Sequence, residues 1–293
     1  MVGGVPDDSN LRIGELSRRS GVSPELLRAW ERRYGLLRPA RSPGGLRLYS
    51  PGDLERVRRM QDHMAQGLAA REAAALAARA EVAGERAAAF DPRSARAALA
   101  GVMDGFDEPG AQTVIDDLLA MTTVDTLLSE VVVPYLHELG ERWESGEMSV
   151  AQEHFASNVL RGRLLGLARG WGRGSGRRAL LACPAGERHD LGLIAFGLAL
   201  RERGWRIDYL GGDMPAESIA EAAGAVEPAL LVLAAVAPDR LWPLDPVLGD
   251  VARRHRLALA GAGAQGLDPG DDVLVLTGDP VAEAERVSAL VPA

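Results

Sequence analysis

The sequence predicts a multidomain chain made of a winged helix-turn-helix head, a four-helix bundle and a doubly wound α/β domain. Three observations carry that prediction. The chain has 293 residues, 47% of them apolar, which exceeds one ordinary domain and suffices for two or three separate cores. Its charge is divided: Arg12 to Met60 holds 12 arginines against five acids, a local +7, so the net −8 leaves −15 for the remainder. The apolar residues recur at helical spacing through the first two thirds, then switch to short runs separated by helical stretches.

A basic head on an acidic body is the footprint of a nucleic-acid-binding module joined to a module that binds something else. The chain contains no lysine, so its use of arginine is general and marks nothing about the head. No apolar run approaches the ~20 residues of a membrane span, and Met1 to Asn10 is polar, so a cytoplasmic protein without membrane contact is expected. One cysteine, Cys183, excludes an internal disulfide framework and a Cys-rich zinc site. It reads as a small strand residue.

The head is expected over 11–78. Ile13, Leu16 and Val22, with Gly21 between, predict a short helix and a tight turn. Ser23-Pro24 supplies an N-cap and an N1 proline for a second helix ending at Tyr34-Gly35. Leu36 to Tyr49, broken by Pro39, Pro43, Gly44 and Gly45, fits a two-stranded wing with Leu46 to Tyr49 as its return strand. Ser50-Pro51 opens a helix with Leu54, Val57 and Met60 on one face, and another helix follows near Ala70 to Ala78.

This ordered run resembles the MerR family of winged helix-turn-helix regulators. The likeness rests on Ile13-Gly14-Glu15-Leu16, Gly21-Val22-Ser23, Leu27 to Leu37 and Arg47-Leu48-Tyr49-Ser50. It implies a second helix in the major groove of double-stranded promoter DNA and a wing on the flanking backbone. Arg28, Arg32 and Arg33 would then face DNA from the helix, with Arg41, Arg47 and Tyr49 at the wing. Most of these contacts would meet phosphates, giving affinity and salt dependence rather than sequence choice. Trp30 and Tyr34 read as small-domain core.

An alanine- and charge-rich linker is expected over 79–92 and a four-helix bundle over 93–170. Leu118, Leu119, Leu127, Leu128, Val131, Val132, Tyr135, Leu136 and Leu139 form its buried stripe. Gly170 to Arg178 reads as a second linker. Over 177–293, strands are predicted at Ala179–Cys183, Arg206–Leu210, Leu230–Val236, Leu257–Gly261 and Val273–Leu276. Helices near Leu191–Arg203, Ala216–Ala225, Pro246–His255 and Val281–Leu290 alternate with them, which predicts a Rossmann-like parallel sheet of flavodoxin order. Such sheets bind ligands at the carboxyl ends of their strands.

The loop after the first of these strands holds Glu187, His189 and Gly192. A lone loop histidine is ordinarily a solvated side chain. Here Glu187, two residues earlier, is placed to hold one ring nitrogen and fix the tautomer, as metal-bound histidines require. Gly192 lets the next helix pack close beneath a bulky ligand. In the bundle, Gly146 reads as a helix end and Ser149 with Gln152 as a capping box, so two helices form a hairpin. At ~1.5 Å per residue, Trp143 and Glu153 then lie at similar heights across it, with His154 adjacent.

The first segment resembles the ExHxxG form of a cobalamin-binding fingerprint. The second matches Trp, nine residues, then Glu-His, the pattern of the CarH-type adenosylcobalamin-dependent photoreceptor regulators. That resemblance spans the chain from Leu11 onward. It implies His189 as lower axial ligand of cobalt, Trp143 shielding the upper face, Glu153 bonding the adenosyl group, and His154 taking the upper cobalt position after light. It further implies a dark homotetramer that represses a promoter and comes apart on illumination.

The chain departs from the pattern where Ser-x-Leu is usual and Ala234-Ala235-Val236 stands, and where Gly-Gly appears as Gly261-Ala262. The resemblance implies that both places line the slot for the cofactor's nucleotide tail. A missing serine hydroxyl removes one hydrogen bond, about 0.5–1.5 kcal/mol or ~1 decade of affinity. These departures leave open a MerR-type regulator with a degenerate, cobalamin-independent sensor domain. The bundle-plus-sheet order also leaves open a corrinoid carrier for methyl transfer, although no catalytic triad, phosphate loop or carboxylate pair is present and a non-enzyme is expected.

Overall fold

A computed structural model of the chain describes residues 11–42, 44–65, 68–77 and 90–291. It divides into two compact units, Met1–Phe90 and Asp91–Ala293. Met1 to Asn10, Pro43, residue 78 and the expected linker as far as residue 89 lie outside the described residues.

In the first unit, α1 (Ile13–Ser20) ends at Gly21 with φ of 71°, a left-handed turn that glycine adopts without strain. Ser23 caps α2 (Pro24–Tyr34) by accepting the Leu26 N–H, and Pro24 occupies N1 as expected. The wing pairs β1 (Ala40–Arg41) with β2 (Arg47–Leu48) antiparallel. Tyr49 then bridges back to Leu11. Helix α3 (Pro51–Ala65) and a helical run over 70–77, α4, complete the unit. Leu16, Leu27, Trp30, Leu36, Tyr49, Val57 and Met60 form its core.

The second unit opens with α5 (Pro92–Asp104), capped by the Asp91 carboxylate, and α6 (Glu108–Met121). Helix α7 (Val124–Leu127) continues through a π turn, Leu128–Val132, into α8 (Val133–Glu144), and α9 (Val150–Leu167) completes four helices. The π turn widens the helix by one residue. It thereby brings Val131, Val132 and Val133 inside together. Leu119 and Leu136, expected in the stripe, are only half-buried.

The third part is a five-stranded parallel sheet of β3 (Arg178–Pro184), β4 (Arg206–Met214), β5 (Leu230–Ala234), β6 (Leu257–Ala260) and β7 (Val273–Leu276), in the order β4-β3-β5-β6-β7. This is the predicted flavodoxin order, with its switch point between β3 and β5. Helices α11 (Ala216–Val226) and α12 (Pro246–Ala252) cover one face through Ile219, Ala223, Leu248 and Val251. Helices α10 (Leu191–Glu202) and α13 (Pro280–Leu290) pack against each other.

The expected second linker is not a free connection. Trp171 is buried, its ring set edge-on to Tyr209, and its carbonyl accepts the Ile207 N–H at 3.1 Å. Burial of one large aromatic outweighs the mobility that the surrounding glycines suggest. Among the described residues, no helix is long and apolar enough to cross a membrane.

Candidate functional site

The basic helix of the head divides its arginines. Arg28 and Arg32, four residues apart on α2, share an exposed face. Arg33, also exposed, lines an open groove of about 600 Å³ with Tyr34, Arg71, Ala74 and Ala75. Trp30 is core, as expected. On the wing, Arg41 is exposed, while Arg47 Nε pairs with Glu31 Oε1 at 3.0 Å. Tyr49 corrects the expected DNA contact: it is fully buried and its hydroxyl donates to Glu31 Oε2 at 3.1 Å. Burial, with the neighbouring Glu31 carboxylate, pushes its phenol up to about 12. Glu31, which the sequence reading passed over, thus ties the wing to α2.

The His189 loop leaves the carboxyl end of β3 beside the switch point. The Glu187 side chain is 4% exposed and that of His189 is 74% exposed. Glu187 Oε1 accepts the His189 backbone N–H at 2.8 Å and lies 2.6 Å from His189 Nδ1. Its other oxygen accepts the Val236 N–H, just past β5, at 2.8 Å. Burial alone would raise the Glu187 carboxyl, but those backbone N–H groups and the imidazole outweigh it and hold it below the usual range. An ionised carboxylate only accepts, so Nδ1 carries a proton and Nε2 is the ring nitrogen left to meet a ligand. Gly192 is exposed on the first turn of α10, and a Cβ there would meet no protein atom.

Neighbouring strands clasp this loop. Asp213, at the end of β4, accepts the Gly186 N–H at 2.7 Å and donates its own N–H to the Glu187 carbonyl at 2.6 Å. A Cβ on Gly212 would come within 3.1 Å of that carbonyl, a tight contact that glycine avoids. Just past β6, Gly261 has φ of 86° and a Cβ there would lie 2.7 Å from the Ala235 carbonyl. Ala234 is buried, and Ala262 is exposed on a short helical turn. Burial pushes the Cys183 thiol up to about 12, so it stays protonated and inert.

In the bundle, α8 and α9 form the expected hairpin, and the Ser149–Gln152 capping box is made in both directions. Trp143 is 49% exposed near its tip. Glu153 is held on its own helix: Ser157 Oγ donates to Oε1 at 2.6 Å, and His154 Nδ1 lies 2.6 Å from Oε2. The His154 side chain is 70% exposed.

Among the described residues, two ion pairs join the bundle to the sheet part. Arg203 pairs with Asp125 at 3.1 Å. Arg161 on α9 pairs with Asp190, the residue after His189, whose carboxylate is fully buried. The sequence reading missed Arg161, Asp190 and Tyr209, which also bonds Asp190. Its only local signal was an acid at the start of an apolar helix, which reads as a cap.

Comparison with known proteins adds to this geometry. Residues 11–80 match the MerR HTH family regulatory protein model, and residues 95–165 match a B12 binding domain. The chain is 38% identical over 236 residues to the HTH-type transcriptional repressor CarH of Myxococcus xanthus, covering 77% of this chain and 79% of that one. It is 34% identical over 284 residues to the repressor CarA of the same organism, covering 91% and 96%. Among solved structures, the Methanosarcina barkeri monomethylamine corrinoid protein superposes with a TM-score of 0.55 at 18% identity, covering 69% of this chain and all of that one. This last likeness concerns the fold alone.

Proposed function

The chain belongs to the family of MerR-type transcription regulators that includes the repressors CarH and CarA, and from that premise we propose that it is a cobalamin-binding transcription regulator that represses in the dark and responds to light. The observation that carries this reading is the His189 imidazole, its Nδ1 proton held by buried Glu187 and its Nε2 left to meet a ligand at the sheet's switch point. An imidazole whose Nδ1 is held in this way has its Nε2 available and would hold a cobalt ion there. The donor set therefore fits the cofactor, and Gly192 and Gly261 leave the neighbouring surface without side chains.

Adenosylcobalamin, when bound, supplies a cobalt–carbon bond that visible light breaks. His189 would hold it from the sheet side, and Trp143, Glu153 and His154 from the bundle side. Gly261 and Ala262, with Ala234, would face its tail. Arg28 and Arg32 on α2, with Arg33, Arg41 and Arg47, would grip DNA, Arg47 exchanging Glu31 for phosphate. A homo-oligomer in the dark joins several such heads, and joined heads bind a promoter far more tightly than single ones.

The test is absorption, gel filtration and DNA binding of coenzyme-loaded protein in darkness and after green light. The reading requires a spectral change, a later elution volume and weaker DNA binding after light. Identical behaviour before and after light contradicts it. Ala234 and Ala262 favour a second reading, a regulator whose sensor no longer takes cobalamin, which predicts no uptake of the coenzyme at any concentration tested. The corrinoid-carrier alternative has the shared fold in its favour, but the family's members are regulators and the head has no place in it.

A further inference from the structure

Resting on the reading that His189 is the cobalt ligand, we infer that Arg161 and Asp190 are positioning residues that couple the His189 loop to the face of α9 bearing Glu153 and His154. Asp190 occupies the N-cap of α10, yet its side chain makes no capping bond to that helix. The carboxylate is instead fully buried and turned to Arg161, whose Nη1 donates to Oδ2 at 2.6 Å and whose Nη2 lies 2.5 Å from Oδ1. The Tyr209 hydroxyl from β4 donates to the same group. Arg161 Nη2 also donates to the Arg188 carbonyl at 3.1 Å. One guanidinium thus grips the chain immediately before and immediately after His189.

The other end of the link lies on the same helix. Arg161 follows His154 by seven residues, about two turns, so the two lie within ~20° of one another around α9 and ~10 Å apart along it. Glu153, Ser157 and Arg161 recur every four residues on that stripe. A helix is stiff over two turns, so a displacement at His154 moves Arg161, and Arg161 either carries the His189 loop with it or lets go of Asp190. Burying the Asp190 carboxylate is a costly way to glue two surfaces, since apolar contacts would serve with less desolvation. A planar fork, by contrast, fixes the register between helix and loop.

The experiment uses the full chain. Hydrogen exchange of cofactor-free protein compares the wild type, Arg161→Lys, which keeps the charge and loses the fork, and the double variant Arg161→Leu/Asp190→Asn, which leaves no stranded charge. Exchange over residues 186–190 is expected to rise at least tenfold in the double variant and less in the lysine variant, with α13 unchanged. Unchanged exchange over 186–190 overturns the coupling, whatever the spectrum shows. Where the double variant loosens α13 as well, the lysine variant decides by the same comparison of segments.

Hydroxocobalamin added in the dark then gives a second readout: the ratio of histidine-coordinated to uncoordinated cofactor is expected to fall tenfold in the double variant, and an unaltered ratio counts against positioning. A wild type whose spectrum does not depend on His189 sinks the cobalamin reading, while exchange still decides the link.

Discussion

Replacing Glu187 by glutamine tests the histidine loop where it is most constrained. The carboxylate makes three contacts, two on Oε1 from His189 and one on Oε2 from Val236 N–H. A glutamine retains one acceptor. If that oxygen keeps both His189 contacts, its NH₂ faces the Val236 N–H, and a buried donor is left unsatisfied at a cost of about 1–3 kcal/mol. If it turns to Val236, the imidazole loses its proton acceptor and both ring nitrogens compete for the proton. The first arrangement costs stability and leaves the imidazole oriented; the second costs ligand preparation, and with about 2 kcal/mol lost there cobalamin affinity should fall roughly 30-fold, at ~1.4 kcal/mol per decade. That agrees with the 10- to 100-fold range common for outer partners of metal-bound histidines. Dark absorbance titrations of wild type and Glu187→Gln with adenosylcobalamin measure it, with a urea melt of the cofactor-free proteins alongside. Equal affinities and superimposable spectra would refute the view that Glu187 prepares the imidazole.

Other consequences are equally open to measurement. Arg32→Ala should weaken promoter binding and lower the slope of log affinity against log salt by about 1; an unchanged slope would remove Arg32 from the phosphate contacts. Glu31→Ala strands the buried Tyr49 hydroxyl and frees the wing, so the head should lose about 1–3 kcal/mol, seen as an earlier melting transition, whereas an unmoved transition argues against the tie. Because the folded Glu187 carboxyl is held below its usual 4.5, the stability it contributes is fully present above pH 4.5 and is lost as pH falls through the lower folded value. Glu187→Gln should therefore flatten the acid limb of stability against pH, and parallel curves for the two proteins would contradict the assignment.

The fold was legible because each period in the sequence had one structural outcome. Five short apolar runs became five parallel strands, and the Ser23, Ser149 and proline signals opened α2, α9 and α3 where expected. What escaped was long-range. β4 extends to Met214 rather than ending at Leu210 because Gly211 and Gly212 give close approach to the His189 loop instead of breaking the strand. Tyr49 looked like a wing contact, and only the packed head shows its hydroxyl turned inward to Glu31. Arg161 and Asp190 are 29 residues apart with no local pattern joining them. The ExHxxG spacing, by contrast, was readable because Glu187 and His189 interact across two residues, a distance set by the chain itself.

The central claim is that a protein imidazole, that of His189, is cobalt's nitrogen ligand. Electron paramagnetic resonance of the cob(II)alamin-loaded protein, prepared once at natural abundance and once uniformly labelled with ¹⁵N, asks this directly, because the axial nitrogen splits the cobalt lines. Cobalt held by the protein should give nitrogen triplets that become doublets on labelling and disappear in His189→Ala. Triplets that persist in the labelled protein would place the cofactor's own base on the metal and contradict the account.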